Sequence, residues 1–192
     1  ALILSCKALE LSGDVIVPSF TFSGTVHALS WNGLVPKFTD IDHSTFNLDP
    51  AAVERNITSR TSAILAVHMY GNPCDIRALE KIARKRHLKL FFDSAHAFGS
   101  RYEGRRTGGF GDLEIFSFQA QKILNCAEGG AITTDSPSLY HQLRFLRSQG
   151  NRGDGSCLWV GMNARMHPGA AILGLKALKT IDRQIAGRQF LG

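Results

Sequence analysis

Short apolar runs alternate with segments of helical spacing along most of this chain, and each run is bounded by turn-forming residues. Asp14-Val-Ile-Val-Pro18 is a run of strand length ended by a proline that cannot donate to a ladder. A helix is predicted from about Thr25 to Trp31, closed by Asn32-Gly33, and a strand from Val35 to Ile41. Asp49-Pro50 then supplies an N-cap and a first-turn proline for a helix through about Ile57. Ser62–His68 is continuously apolar and predicts a buried parallel strand, after which Tyr70-Gly-Asn-Pro73 breaks the chain. Asp75 caps a helix whose stripe is Ile76, Leu79, Ile82 and Ala83, and the return strand, Leu88–Phe92, ends on Asp93.

Beyond a glycine-rich stretch, Gly99–Gly111, two further strands are predicted at Glu114–Phe118 and Gly130–Thr134, with Lys122 in the loop between them. A helix over Ser136–Arg147 follows, then a glycine-containing loop over Ser148–Leu158. The last element is a single long helix over Pro168–Arg188, with apolar residues at Ala171, Leu173, Leu175, Leu178 and Ile181. Strand and helix in alternation predict an α/β fold: three layers, an open and mostly parallel sheet with helices on both faces. Such sheets bind ligands at the carboxyl ends of their strands. That rule directs attention to Ser19, Thr21, His68, Tyr70, Asp93, His96 and Ser117.

Composition narrows the class. With 192 residues, 44% apolar and 20% charged, the chain suits one globular domain and excludes a disordered or low-complexity protein. No apolar run approaches the roughly 18 to 20 residues of a membrane span, and no basic-then-apolar segment opens the chain, so a soluble cytoplasmic protein is expected. The four cysteines are widely spaced without a C-x-x-C pair; they read as small buried thiols, and no metal site is expected. The net charge of +6 favours acidic or phosphorylated ligands. Arg84, Lys85, Arg86 and Lys89 sit at a helix end as a solvated face, and Arg105 and Arg106 lack the interleaved aromatics of a nucleic-acid platform, so no nucleic-acid partner is expected.

Three residues taken in order suggest chemistry. Asp93 is an acid at a buried strand end, where it serves either as a helix N-cap or as the partner of a positive group. Ser117 ends the next strand. Lys122 follows five residues later in Phe-Ser-Phe-Gln-Ala-Gln-Lys, and a lysine in apolar surroundings can become a nucleophilic amine, although a loop lysine is most often surface decoration. Acid, hydroxyl and amine in this arrangement are what pyridoxal 5'-phosphate (PLP) requires.

The chain resembles the DegT/DnrJ/EryC1/StrS family of PLP-dependent sugar aminotransferases, of fold type I. The stretches that carry the resemblance are Asp14–Phe22, Asp40-Ile-Asp42 with Phe46–Pro50, Val67–Gly71, Asp93–His96, Gly108–Asp112, Phe116–Phe118, Lys122, Cys126–Gly130 and Gly161–Met166. The resemblance implies that Lys122 is the Schiff-base lysine and proton carrier, and that Asp93 holds the pyridine nitrogen protonated. It implies that Phe22 stacks on the ring, where the alternative is a core phenylalanine, and that His96 lies beside the ring, where the alternative is a satisfied histidine at a helix start. Ser117 is implied as a phosphate ligand. Asn163 is implied to reach the phosphate of a partner chain's site, where the alternative is a turn asparagine, so a homodimer with shared active sites is expected.

The expected activity is transfer of an amino group, from glutamate, to a keto group of a nucleotide-linked sugar. Related sugar dehydratases carry histidine at the lysine position, and a catalytically idle PLP-binding or regulatory protein is the rival from another class. A dinucleotide-binding domain is disfavoured because no strand is followed by G-x-G-x-x-G. Gln119-Ala-Gln121 before the lysine and His167-Pro168 after Arg-Met depart from the family pattern. The chain opens just past the family's Gly-Thr or Gly-Ser phosphate turn and ends before its smaller C-terminal domain. Residues 1–192 are therefore expected to be a PLP-binding large domain lacking those two parts.

Overall fold

The computed structural model describes residues 1–191. In chain order the elements are α1 (Leu2–Ala8), β1 (Asp14–Pro18), α2 (Ser23–Trp31), β2 (Val35–Thr39), α3 (Pro50–Asn56), β3 (Thr61–Val67), α4 (Ile76–Arg86), β4 (Lys89–Asp93), β5 (Arg101–Tyr102), β6 (Arg105–Arg106), β7 (Leu113–Ser117), β8 (Gly130–Thr133), α5 (Pro137–Leu146), α6 (Pro168–Leu178) and α7 (Ile181–Leu191). The main sheet has the order β2-β1-β3-β4-β7-β8, parallel throughout except for β8, which runs antiparallel to β7. Chain direction across the sheet reverses at β1: α2 leads outward to β2, and α3 leads back to β3 on the other side.

The period-two alternation of strand side chains divides the apolar runs between two cores. Val15, Val17, Ala63, Leu65, Phe91 and Ile115 face α1, α2 and α5, meeting Leu4, Leu29, Leu143 and Leu146. Ile16, Ile64, Ala66, Leu90 and Phe92 face α3 and α4, meeting Val53, Ile76, Leu79 and Ile82. Covered on both faces, the central strands are apolar over most of their length, which is why they appear in the sequence as near-continuous runs. The predicted caps form: Asp49 accepts from the amides of Ala51 (2.9 Å) and Ala52 (3.1 Å), and Asp75 from that of Ala78 (3.0 Å).

Several expectations are corrected. The long helix over Pro168–Arg188 is two helices, α6 and α7. The backbone tightens to i→i−3 bonds at Lys179 and Thr180, and the Thr180 hydroxyl takes up the Ala177 carbonyl, so a β-branched residue with a competing side chain ends the helix. No residue of α6 is buried, whereas Ile181 at the start of α7 is. The glycine-rich stretch holds a hairpin, β5–β6, whose turn residues Glu103 and Gly104 both have positive φ, 49° and 79°, as a two-residue hairpin turn requires. Arg105 and Arg106 lie in that hairpin and pair with Asp135 and Asp182. Asp93 is followed by turns, not by a helix, so it is not a helix cap. Cys6, Cys74 and Cys126 are buried, but Cys157 is exposed. Among the described residues no helix is long and apolar enough to cross a membrane.

Candidate active site

Asp93 stands at the carboxyl end of β4 with 6% of its surface exposed. Its Oδ2 accepts from Thr25 Oγ1 at 2.8 Å and its Oδ1 from the Ala95 amide at 3.1 Å, while Thr21 Oγ1 donates to Thr25 Oγ1 at 3.1 Å. Thr25 is held there by the first turn of α2, which starts directly beyond β1. Burial pushes the Asp93 carboxyl above the ordinary carboxylate range; the hydrogen bonds from Thr25 and Ala95 and the charges of His96 and Lys122 act against it. Among the described residues Asp93 makes no ion pair, so a buried carboxylate faces the cleft without a cation.

A cleft of about 1430 Å³ opens over this carboxylate, and Phe22, His96, Ser117 and Lys122 all line it together with Asp93. Lys122 is half-buried in the loop joining β7 to β8. The loop base is tied by Phe118 N–H to the Gly129 carbonyl (2.8 Å) and Cys126 N–H to the Phe118 carbonyl (3.0 Å); its tip is tied by Lys122 N–H to the Gln119 carbonyl (2.9 Å) and Asn125 Nδ2 to the Ala120 carbonyl (2.9 Å). The amine itself has no hydrogen-bond or ion-pair partner among the described residues. Ser117 ends β7 half-buried. His96 lies parallel to the Tyr70 ring, with centroids 6.1 Å apart, and burial, then the Lys122 charge, lowers its pKa while Asp93 opposes this.

Phe22 is 78% exposed, which removes the core reading; it projects into the cleft from the N-cap of α2. Like Ser19 and His68, Asn163 lies outside the cleft. It is exposed, bridges to Ser148, and lines a separate hollow of about 410 Å³ with Arg144, Arg147, Arg152 and Arg165.

Beneath Asp93 lies a polar cluster that the sequence reading did not assemble. His68 is fully buried; its Nδ1 accepts from the Cys74 amide at 3.1 Å, and burial holds its pKa down to about 4. Neutral and accepting at Nδ1, the ring carries its proton on Nε2, 3.8 Å from Glu114 Oε2. Glu114, also fully buried, accepts from Ser94 Oγ at 2.6 Å through Oε2, and from the amides of Gly108 (2.6 Å) and Phe110 (3.0 Å) through Oε1. One signal was present: a single charged residue inside the apolar strand run Leu113-Glu-Ile-Phe. Thr25 left less of a trace, since a threonine in a first helical turn is common.

The donor set fits a planar ligand with a protonated ring nitrogen over Asp93, an electrophilic carbon within reach of an unpaired amine, and an anionic group near Ser117. It does not fit a metal: among the described residues no three His, Cys, Asp or Glu side chains converge.

Comparisons with known proteins place the whole chain among relatives of known class. The chain is 40% identical over 182 residues to GDP-perosamine synthase of Caulobacter vibrioides, covering 92% of this chain and 48% of that protein. It superposes on DesI, solved in the presence of its TDP-sugar product, with a TM-score of 0.90 and 45% identity, covering 95% of this chain and 46% of that one. It also superposes on Spr1654 from Streptococcus pneumoniae in its PLP form, with a TM-score of 0.88 and 29% identity, covering 95% and 53%. The chain thus spans about half the length of the curated relatives it matches. A family model matches residues 1–192 from end to end, and the chain belongs to the DegT/DnrJ/EryC1/StrS aminotransferase family.

Proposed function

We propose that this chain forms the cofactor-binding part of a PLP-dependent aminotransferase that moves an amino group from glutamate to a keto group of a nucleotide-linked sugar. The observation that carries the proposal is the shared cleft of Lys122 and Asp93: an amine without a partner among the described residues, and a buried carboxylate without a cation. When bound, PLP supplies an aldehyde carbon that takes up amino groups and a ring that accepts electrons.

Asp93 would hold the ring nitrogen protonated, and its burial would make that ion pair stronger than it is in water. Thr25 keeps the Asp93 carboxylate oriented and charged. Lys122 Nζ, the amine without a partner in the cleft, would hold the cofactor at its aldehyde carbon and, as a free amine, would be the group placed to carry a proton to and from the substrate carbon. Ser117 would hold the phosphate by donating its hydroxyl, and Phe22 and His96, both lining the cleft, would pack against the ring. Asn163, exposed on its own chain, serves the site of a second copy, so the working unit is a homodimer, and we assign it to the cytoplasm. Relatives named for GDP- and TDP-linked sugars support the substrate class. Lys122 itself favours transfer over dehydration, since the dehydratases carry histidine at that position.

The test uses the full-length protein incubated with PLP, reduced with borohydride and mapped by mass spectrometry. A cofactor-derived mass on Lys122 is expected, together with glutamate-dependent amination of the cofactor. Absence of that mass removes the cofactor assignment, and the mass without glutamate turnover points to an idle binding protein.

A further inference from the structure

We infer that Glu114 is a positioning residue for the Asp93 carboxylate, acting through Ser94 and His68; the inference rests on the PLP reading above. Glu114 lines no part of the cleft and is fully buried, so it touches neither substrate nor cofactor. Its Oε2 nevertheless meets both residues that bracket the Asp93 backbone. On one side Ser94, the next residue, donates its hydroxyl to Oε2 at 2.6 Å and its amide to the Ile115 carbonyl at 2.8 Å. On the other side His68, whose Nε2 lies 3.8 Å from the same oxygen, donates its backbone amide to the Asp93 carbonyl at 3.1 Å.

The chemistry of the residue matters. Three donors converge on Glu114: two backbone amides on Oε1 and the Ser94 hydroxyl on Oε2, while His68 Nε2, 3.8 Å from Oε2, lies outside hydrogen-bond range. A carboxylate accepts on both oxygens, whereas glutamine offers an NH₂ group in place of one of them, so the charge-assisted bond from either the Ser94 hydroxyl or the two loop amides is lost. A carboxylate buried at the end of a strand costs several kcal/mol of desolvation relative to an apolar residue. A site that needed only packing would not use one. Oε1 secures the Gly108–Phe110 loop; Oε2 secures the backbone on which Asp93 stands, and misplacement of a reacting group by about 1 Å can cost on the order of a hundredfold in rate.

The experiment compares full-length wild type, Glu114→Gln, Ser94→Ala and the double variant, with Leu79→Ala, in the core on the same face of the sheet, as a control for lost stability. PLP affinity is read from the near-visible absorption of the bound cofactor, and amide hydrogen exchange at Ala95 and His68 is read in cofactor-free protein. Glu114→Gln is expected to weaken PLP binding on the order of tenfold, well beyond Leu79→Ala at equal loss of Tm, and to speed exchange at both amides. Because the two residues act in series, the double variant should be no worse than Glu114→Gln. Retention of PLP equal to that of the control, or additive effects of the two substitutions, overturns the inference. Should Glu114→Gln fail to fold, Ser94→Ala alone decides: weaker PLP binding with faster Ala95 exchange supports the inference, and wild-type values for both overturn it. A wild-type protein that takes up no PLP overturns the cofactor reading and this inference with it.

Discussion

Thr25 Oγ1 donates a 2.8 Å hydrogen bond to Asp93 Oδ2 across 68 residues of chain. The bond joins the first turn of α2 to the tip of β4, the two elements on either side of the position where the sheet changes direction. Hydrogen bonds to charged groups contribute about 1.5–3 kcal/mol. Thr25→Val keeps the shape and removes the donor, so the Asp93 carboxyl should rise further and PLP affinity should fall on the order of tenfold. Titration of the cofactor by absorbance checks this, and an unchanged affinity would show that the bond plays no part in holding the carboxylate charged.

Asp93 itself should trade stability for binding. Its folded-state pKa is raised by burial, so its contribution to stability is fully present below the unfolded value, 3.8, and is lost as pH rises through the folded value. At pH 7 the cofactor-free protein therefore carries a net cost at this position. Asp93→Asn should raise the Tm of the cofactor-free protein at pH 7 while abolishing retention of PLP; a lower Tm would contradict the burial argument.

His68 acts in the opposite sense. Burial depresses its pKa from 6.5 to about 4, so its stabilising contribution is present above 6.5 and is lost as pH falls toward 4. At 1.36 kcal/mol per unit the loss across that window is roughly 3 kcal/mol. Denaturant unfolding at pH 7 and pH 4.5 should show this acid-sensitive component in wild type and a flatter profile in His68→Gln. Parallel profiles would mean that the imidazole does not titrate as its burial requires.

The proposed sharing of active sites between two copies can be tested with mixed dimers. If Asn163 serves the site of a second copy, as proposed, Lys122→Ala and Asn163→Ala would impair the same site from different chains, and a heterodimer of the two variants would have one site with both residues intact. After unfolding and refolding an equal mixture, activity should recover to about a quarter of wild type, as random pairing in a two-fold dimer requires. Recovery no greater than the mean of the two separate variants would place Asn163 in the service of its own chain.

Much of the fold was legible because burial on both faces forces near-continuous apolar strands, and because Asp49-Pro50 and Asp75 mark their helices through local bonds. The break at Thr180 was not, because apolar residues such as Ile172, Leu173 and Leu175 imitate a core stripe, yet are exposed here. The hairpin at Glu103-Gly104 was hidden among other glycines. Asp93, Ser117 and Lys122 could be singled out because strand ends and loops are where an α/β sheet gathers its chemistry.

What the residues determined alone were the properties that depend on neighbours in sequence: strand continuity, helix caps, and the order of acid, hydroxyl and amine along the chain. Tertiary structure decided which of them meet. The reach of Thr25 to Asp93, the exposure of Phe22, the separation of Asn163 from the cleft and the burial of Glu114 beside His68 all follow from the order of strands in the sheet. That order is set by how two cores pack at once, and contacts between residues tens of positions apart leave no periodic signal in the chain.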